Sequence, residues 1–325
     1  MQEAVYRKEG GSKMKKFTKV CLIICLVLLC ISVGCITAGA AMGSSIKEAR
    51  QAANAGGLNL WGFNIGKGLF FWDYMDEFES EEDAKIINGV VNETFPAESI
   101  KELEMDLYYG NIIIEDSGSE NITVSIDAPK RHSYKCKVSG DTMVLDETTK
   151  TWRHIINRNF TKPEVIIGIP EGKKFDQVEL VFSAGKVTLD HSLTGKSVFL
   201  EVDAGQLTAE MVTAEELELE TGAGEFILKD FITDSLSVDC GVGNMEIKGK
   251  AVEEADLTCG VGNILLNLTG KPEDYNYDIS CGVGSIEING KSFSGLGRNK
   301  LIDNGAVGEI SLDCGVGAIE VEIEE

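Results

Sequence analysis

One pattern of residues constrains this chain more than any other, because it recurs: a short run alternating apolar and polar side chains, a glycine, then a second alternating run. Leu103, Met105 and Leu107 lead through Gly110 to Ile112 and Ile114. Val178, Leu180 and Phe182 precede Gly185, with Val187 and Leu189 beyond it; Val198, Leu200 and Val202 precede Gly205, with Leu207 and Ala209 beyond. Leu217, Leu219 and Thr221 stand in the same places before Gly224, Leu236, Val238 and Cys240 before Gly243, and Ala255, Leu257 and Cys259 before Gly262. Tyr277, Ile279 and Cys281 then precede Gly284, and Ile310, Leu312 and Cys314 precede Gly317.

Alternation with a period of two marks a strand with one buried face, since successive side chains leave opposite sides of the backbone. No single copy can bury its apolar face alone, so a recurrence of roughly 19 to 22 residues is the signature of stacked coils. The expected fold is therefore all-β: a β-solenoid, a β-helix-like stack of short strands with glycine corners, over 99–325. Equivalent side chains should form columns spaced by about one strand separation, ~4.8 Å. Glycine suits the corner on two grounds, its freedom at positive φ and the close approach of neighbouring backbones. The paired glycines of Gly241-Val242-Gly243 resemble a phosphate loop only superficially, because no helix start and no Lys-Ser or Lys-Thr pair follows.

Cys240, Cys259, Cys281 and Cys314 fall in one inward column that begins as Phe182, Val202 and Thr221, so a ladder of buried free thiols is expected; the alternative is disulfides between neighbouring coils, whose dihedral stacked parallel side chains supply poorly. A tetrahedral metal needs ligands converging on one point, and a straight column does not converge; no metal and no cofactor are expected. The nonapeptide calcium turn places Asp after its glycines, whereas Asn244, Asn263, Ser285 and Ala318 follow them here. His132, His154 and His191 lie in unrelated settings without a nucleophile elbow or a paired-histidine helix, and none receives a role. Outward carboxylates such as Glu218, Glu220, Asp239, Asp256, Asp278 and Glu287 read as a solvated face rather than a catalytic pair. No enzyme activity is expected.

The N-terminal part carries a different signal. Residues 1–19 are basic, with Lys13, Lys15, Lys16 and Lys19, and Val20–Met42 is an uncharged stretch long enough to span a bilayer. The positive-inside rule then leaves residues 1–19 in the cytoplasm and the remainder outside. Ala38-Gly39-Ala40 is an alternative cleavage site, and Ser32-Val33-Gly34-Cys35 a distant lipoprotein box. Met14-Lys15-Lys16 resembles a bacterial translation start. Residues 43–98 read as a juxtamembrane linker with Trp61, Phe63, Phe70, Phe71, Trp72 and Tyr74, followed by the acidic run Asp76–Asp83. Beyond it, 121–128, 133–145 and 165–170 read as extra strands that thicken or cap one end of the stack. The glutamates of Ile319–Glu325 read as protection of an edge strand at the terminus.

A net charge of −23 repels nucleic-acid phosphates and anionic headgroups, so nucleic acid is excluded and a cation or basic peptide is the partner favoured at long range. Gly-Val-Gly followed by an alternating strand, as in Gly282-Val283-Gly284-Ser285-Ile286-Glu287-Ile288, resembles the bacterial adhesin-like β-strand-repeat family of unknown function. The likeness covers roughly Ser99 to Glu325 and extends to the basic start, the span and Ile167-Gly168-Ile169-Pro170. It implies a membrane-anchored, non-enzymatic surface module, adhesive or sensing the state of the envelope, and supplies no catalytic residue. The rival readings are a polysaccharide-acting β-helix enzyme and a regulatory membrane partner that uses the solenoid as a spacer. Neither the ligand nor the oligomeric state follows from the sequence.

Overall fold

Alternation in the sequence becomes strand along nearly the whole described chain. The computed structural model describes residues 58–60, 63–65, 85–87, 90–129, 132–148, 162–293 and 298–325. The chain divides into two units, Met1–Phe78 and Glu79–Glu325. In the first, β1 (Leu58–Leu60) and β2 (Phe63–Ile65) form an antiparallel hairpin. Among the described residues no helix is long and apolar enough to cross a membrane; Val20–Met42 lies outside them.

The second unit opens with β3 (Lys85–Ile87), β4 (Val90–Pro96), β5 (Glu102–Asp116), β6 (Asn121–Asp127), β7 (Tyr134–Ser139), β8 (Thr142–Glu147) and β9 (Glu164–Ile169). The repeats proper are β10 (Lys174–Thr213), β11 (Glu216–Thr221), β12 (Glu225–Leu228), β13 (Phe231–Cys240), β14 (Asn244–Cys259) and β15 (Asn263–Thr269). They continue as β16 (Tyr275–Cys281), β17 (Ser285–Ile288), β18 (Lys291–Ser292), β19 (Arg298–Ile302), β20 (Gly308–Cys314) and β21 (Ala318–Glu324).

Each coil contributes one arm before its glycine and one after it, and like arms pair in parallel and in register. Leu217 lies beside Val198 and Leu236, and Phe226 beside Leu207 and Met245. The two resulting faces enclose an unbroken apolar core. In the coil of β13 and β14, Leu236, Val238, Cys240, Met245 and Ile247 are all buried, while Ser237 and Asp239 face out. Burying a large aliphatic side chain contributes about 1.5–3 kcal/mol, so several per coil give each stacking interface its cohesion. A short third run, with Phe231 beside Val212 and Ala251 beside Thr233, closes the return of the coil.

At one end the first coil, β5, is extended on both faces. Its leading half pairs with β8, which pairs with β7 and then β3; its trailing half pairs with β9, which pairs with β6 and then β4. The strands expected over 121–145 and 165–170 thus cap the stack by continuing both of its faces. Val90–Pro96, which the residue pattern assigns to the linker, is part of this cap: it lies along β6 from Val90 opposite Asp127 to Pro96 opposite Asn121. Its period of two is hidden in the sequence because every other residue is only half-buried.

At the other end the coils do not follow chain order. The last coil, β20 and β21, sits between the coil of β14 and β15 and the coil of β16 and β17. The penultimate coil is therefore terminal, closed by the antiparallel strands β19 on β16 and β18 on β17. This corrects in part the reading of Ile319–Glu325 as an edge: over Ala318–Val321, β21 has partners on both sides, β15 and β17, and Glu320 points to solvent from the middle of a sheet, while Glu322 and Glu324 lie on a stretch paired with β15 alone. Asn289 helps to hold the inserted strand, donating from Nδ2 to the Ile323 carbonyl at 2.9 Å and accepting from the Ile323 N–H at 3.1 Å.

Candidate functional site

The glycine corners form a column in stack order: Gly110, Gly185, Gly205, Gly224, Gly243, Gly262, Gly317 and Gly284. Positive φ accounts for Gly110 and Gly185 alone. For the others the reason is space. A Cβ on Gly243 would fall 2.3 Å from the carbonyl oxygen of Gly224, and one on Gly262 2.0 Å from that of Gly243. From Gly185 onward, each corner glycine is thus required by the backbone of the coil beside it, whatever its φ.

The thiols lie directly against this column. Cys240 pairs with Cys259, Cys259 with Cys314 and Cys314 with Cys281, so the ladder runs 240, 259, 314, 281 rather than in sequence order. All four are buried free thiols. Thr221, the preceding member, donates its hydroxyl to the Val202 carbonyl of the previous coil at 3.2 Å, whereas Cys240 Sγ donates to the carbonyl of its own corner glycine, Gly243, at 3.2 Å. The hydrogen bond with Cys259 lowers the Cys240 thiol pKa and raises that of Cys259. Burial first, then the charges of Cys259 and Cys281, pushes Cys314 up to about 11.

Outward positions of the face that precedes the corner carry carboxylates in rows. Glu104 lies beside Glu179, Asp106 beside Asp146, Glu201 beside Glu220, and Glu220 beside Asp239; Glu254 lies beside Glu309. No lysine or arginine stands at an outward position of this face from Glu102 through the arms of β10, β11, β13, β14, β20 and β16. The solvated face expected from the sequence is only partly solvated. Burial, then Asp146 and Asp203, pushes the Asp106 carboxyl up to about 7; burial, then Asp203 and Glu220, pushes Glu201 up to about 8. Asp146 and Glu179 are also raised, chiefly by burial.

Between the two glycines of each late corner a valine stands out into solvent. Val242, Val261, Val316 and Val283 are 65%, 58%, 53% and 67% exposed. Their amides bond to glycines of the preceding coil, Val261 to the Gly241 carbonyl and Val316 to that of Gly260, both at 2.8 Å, which sets them in an apolar ridge along the stack. Beyond the ridge, Gln206 donates to Glu225 at 2.6 Å and Asn263 to Asn244 at 2.8 Å. Glu225, Asn244 and Asn263 border a shallow groove of about 290 Å³ that Ile227, Leu265 and Glu320 also line.

Glu147 and His132 are buried polar residues that the sequence pattern did not mark. Glu147, 2% exposed, accepts the backbone N–H groups of Tyr108 and Tyr109 at 3.0 and 3.1 Å and lies 2.7 Å from His132 Nδ1. It receives amides of the first corner, where no further coil stacks. The alternation of β8 puts Glu147 on the inward side after Met143 and Leu145, and that placement is the one signal that could have marked it. Among the described residues, no group of three or more His, Cys, Asp or Glu side chains converges as a metal site.

No curated protein matches the chain. Among solved structures it is similar to a "putative adhesin" from Parabacteroides merdae, at 15% identity and a TM-score of 0.42, over 72% of this chain and 96% of that one. It is also similar to a "putative cell adhesion protein" from Clostridium sporogenes, at 15% identity and a TM-score of 0.33, over 74% of this chain and 99% of that one. The family model described as Toastrack DUF4097 matches residues 100–295, from the first coil through the terminal one, and the chain belongs to that family.

Proposed function

We propose that this chain is a non-enzymatic surface-interaction module, adhesive or envelope-sensing, that binds through the outside of its solenoid. The observation that carries the reading is the juxtaposition of the carboxylate rows with the exposed ridge of Val242, Val261, Val316 and Val283. A charged face of one sign draws an oppositely charged partner at long range, and an exposed aliphatic ridge beside it gives that partner apolar contact area. The partner so selected is cationic with an apolar side, from the envelope or beyond it. Display outside the cell, with residues 1–19 in the cytoplasm and Val20–Met42 spanning the membrane, completes the proposal and rests on the charge and hydropathy pattern.

The test is binding of the purified full chain, in detergent, to fractionated envelope material and to cationic peptides, at low and high salt. Saturable binding that survives salt and falls when the four ridge valines are replaced by serine is the expected result. Binding that vanishes with salt, whatever the ridge, would reduce the surface to an acidic field without recognition and overturn the reading.

A further inference from the structure

We propose that the last coil, β20 and β21, is an exchangeable element and that a second copy of this chain is its partner: each copy places its last coil in the other's slot, between the coil of β14 and β15 and the coil of β16 and β17. A coil added at the end of a stack needs one neighbour, whereas this one needs two. β20 pairs in parallel with β14 and β16, and β21 with β15 and β17. Both neighbours precede it in the chain, so both walls of the slot are synthesised before the coil that fills it. Nothing in the walls records which copy the coil comes from. The Gly315 N–H donates to the Cys259 carbonyl on one side, and the Cys314 carbonyl accepts from the Gly282 N–H on the other, both at 2.8 Å. The buried column Ile310, Leu312, Cys314 packs between two columns of the same kind. All of these contacts are unchanged when a second copy supplies the coil, which is why exchange of an identical element is a low-cost route to a dimer.

A residue outside the exchanged coil spans the slot. Tyr275, on the terminal coil, carries its hydroxyl past the inserted coil to the Ala251 carbonyl at 2.6 Å and so ties the two walls together one coil apart. The inserted coil makes room for it with Gly308, where a Cβ would fall 2.6 Å from the Tyr275 ring. The join between that coil and the rest of the chain has the form of a hinge. Ile302 lies on the outer side of β16, opposite Tyr277, and Gly308 on its inner side, opposite Tyr275, so residues 303–307 cross the start of that strand. Polar contacts hold the crossing: Asn276 Oδ1 accepts the Asn304 and Ala306 N–H groups at 2.9 and 3.2 Å, and Asn304 donates from Nδ2 to the Tyr275 carbonyl at 2.7 Å. Val307 is 92% exposed, and no side chain of 303–307 is buried. Opening the hinge therefore exchanges hydrogen bonds for water and takes nothing from the core. Extended at about 3.4 Å per residue, 303–307 reaches ~17 Å, which places the receiving copy beside the donor.

The experiment mixes two full-chain variants in detergent, Asp256→Cys and Ser311→Cys, which stand at in-register positions of β14 and β20. They are unfolded together in urea with reductant, refolded at high concentration and oxidised, and the linked peptides are identified by mass. No molecule in the mixture holds both introduced cysteines, so a 256–311 disulfide joins two copies. That disulfide is the expected result. A mixture of Ser237→Cys and Asp256→Cys, in-register neighbours on β13 and β14 within the continuous part of the stack, should give no 237–256 disulfide. The length of the hinge should set the share of dimer: deletion of 304–306 should raise it, because the shortened join no longer crosses β16 within one copy, and four glycine and serine residues inserted after Gly305 should lower it. Absence of the 256–311 disulfide, its formation only to the extent of the 237–256 one, or a share of dimer indifferent to hinge length would each overturn the proposal. Circular dichroism checks that the hinge variants fold; if they do not, the two cysteine mixtures decide alone.

Discussion

Replacing Glu201 by glutamine should make the protein more stable at pH 8 and flatten the dependence of its stability on pH. Glu201 is half-buried on the carboxylate face, close to Asp203, Glu220 and Asp106, and its pKa rises from 4.5 to about 8. The sign follows from proton counting. A carboxyl whose folded pKa lies above its unfolded one holds more protons in the folded state, so its contribution favours the fold at low pH and is lost as pH rises toward the folded pKa. Asp106, raised to about 7, acts in the same direction. Stability from this face should therefore fall between about pH 5 and 8. Asp141 and Asp176, whose pKa values are lowered by Lys101 and Lys196, lose their contribution only below the ordinary carboxylate range and leave that window clear. At about 1.4 kcal/mol per pKa unit the full shift of Glu201 sets a ceiling near 5 kcal/mol. Partial solvation and the sharing of protons among the neighbouring carboxylates reduce the gain from one substitution to about 1–2 kcal/mol. For a domain of this size that is a rise in Tm of roughly 3 to 6 °C. Thermal melts of wild type and Glu201→Gln at pH 5 and pH 8 check it. A wild type that melts lower at pH 5 than at pH 8, or a variant no more stable than wild type at pH 8, would refute the electrostatic reasoning.

The column of glycines predicts that space rather than φ is limiting at the inner corners. Gly262→Ala should cost about 2 kcal/mol or more in urea unfolding, since its Cβ would fall 2.0 Å from the Gly243 carbonyl oxygen, and asparagine should be no better. Gly290, at φ +73° with open space around its Cβ position, should lose only about 1 kcal/mol as alanine and recover most of it as asparagine. The order of coils is open to cross-linking: cysteines at Asp256 and Ser311, or at Asp278 and Ser311, should form disulfides, and cysteines at Asp256 and Asp278 should not. The reverse result would restore chain order. Glu147→Ala, which removes the acceptor of two corner amides and the partner of His132, should destabilise by about 3 kcal/mol in urea unfolding, and Glu147→Gln by less.

How much of this was legible in the sequence depends on whether a feature repeats. The inward columns were, because a period of two places Leu236, Val238 and Cys240 on one side whatever else happens, and a copy 19 residues later places Ala255, Leu257 and Cys259 beside them. The partly buried state of Asp106 and Glu201 was not. Alternation says which side of a strand a carboxylate leaves from, but its solvation depends on what crowds it from adjacent coils. Val90–Pro96 was missed for a related reason: at the rim of the cap its inward residues are only half-buried, so the apolar contrast that marks a strand is weak.

The order of the coils lies deeper than any of these, because repetition itself conceals it. The coil of β14 and β15 offers its neighbour the column Ala255, Leu257, Cys259, and both later coils answer with almost the same column, Tyr277, Ile279, Cys281 or Ile310, Leu312, Cys314. Either could stack there with similar apolar burial, so the choice falls to segments that do not repeat. Tyr275 carries its hydroxyl to the Ala251 carbonyl at 2.6 Å, reaching past the inserted coil, and Gly308, at the start of that coil, packs where a Cβ would fall 2.6 Å from the Tyr275 ring. Asn289 binds both backbone groups of Ile323, and β18 and β19 run antiparallel over the outer side of the penultimate coil, where another parallel coil would otherwise stack. With that side closed, the slot beside β14 and β15 is the position left to β20 and β21. The residues that break the pattern, Tyr275, Asn289 and the strands β18 and β19 among them, therefore decide where the last copy of the pattern goes.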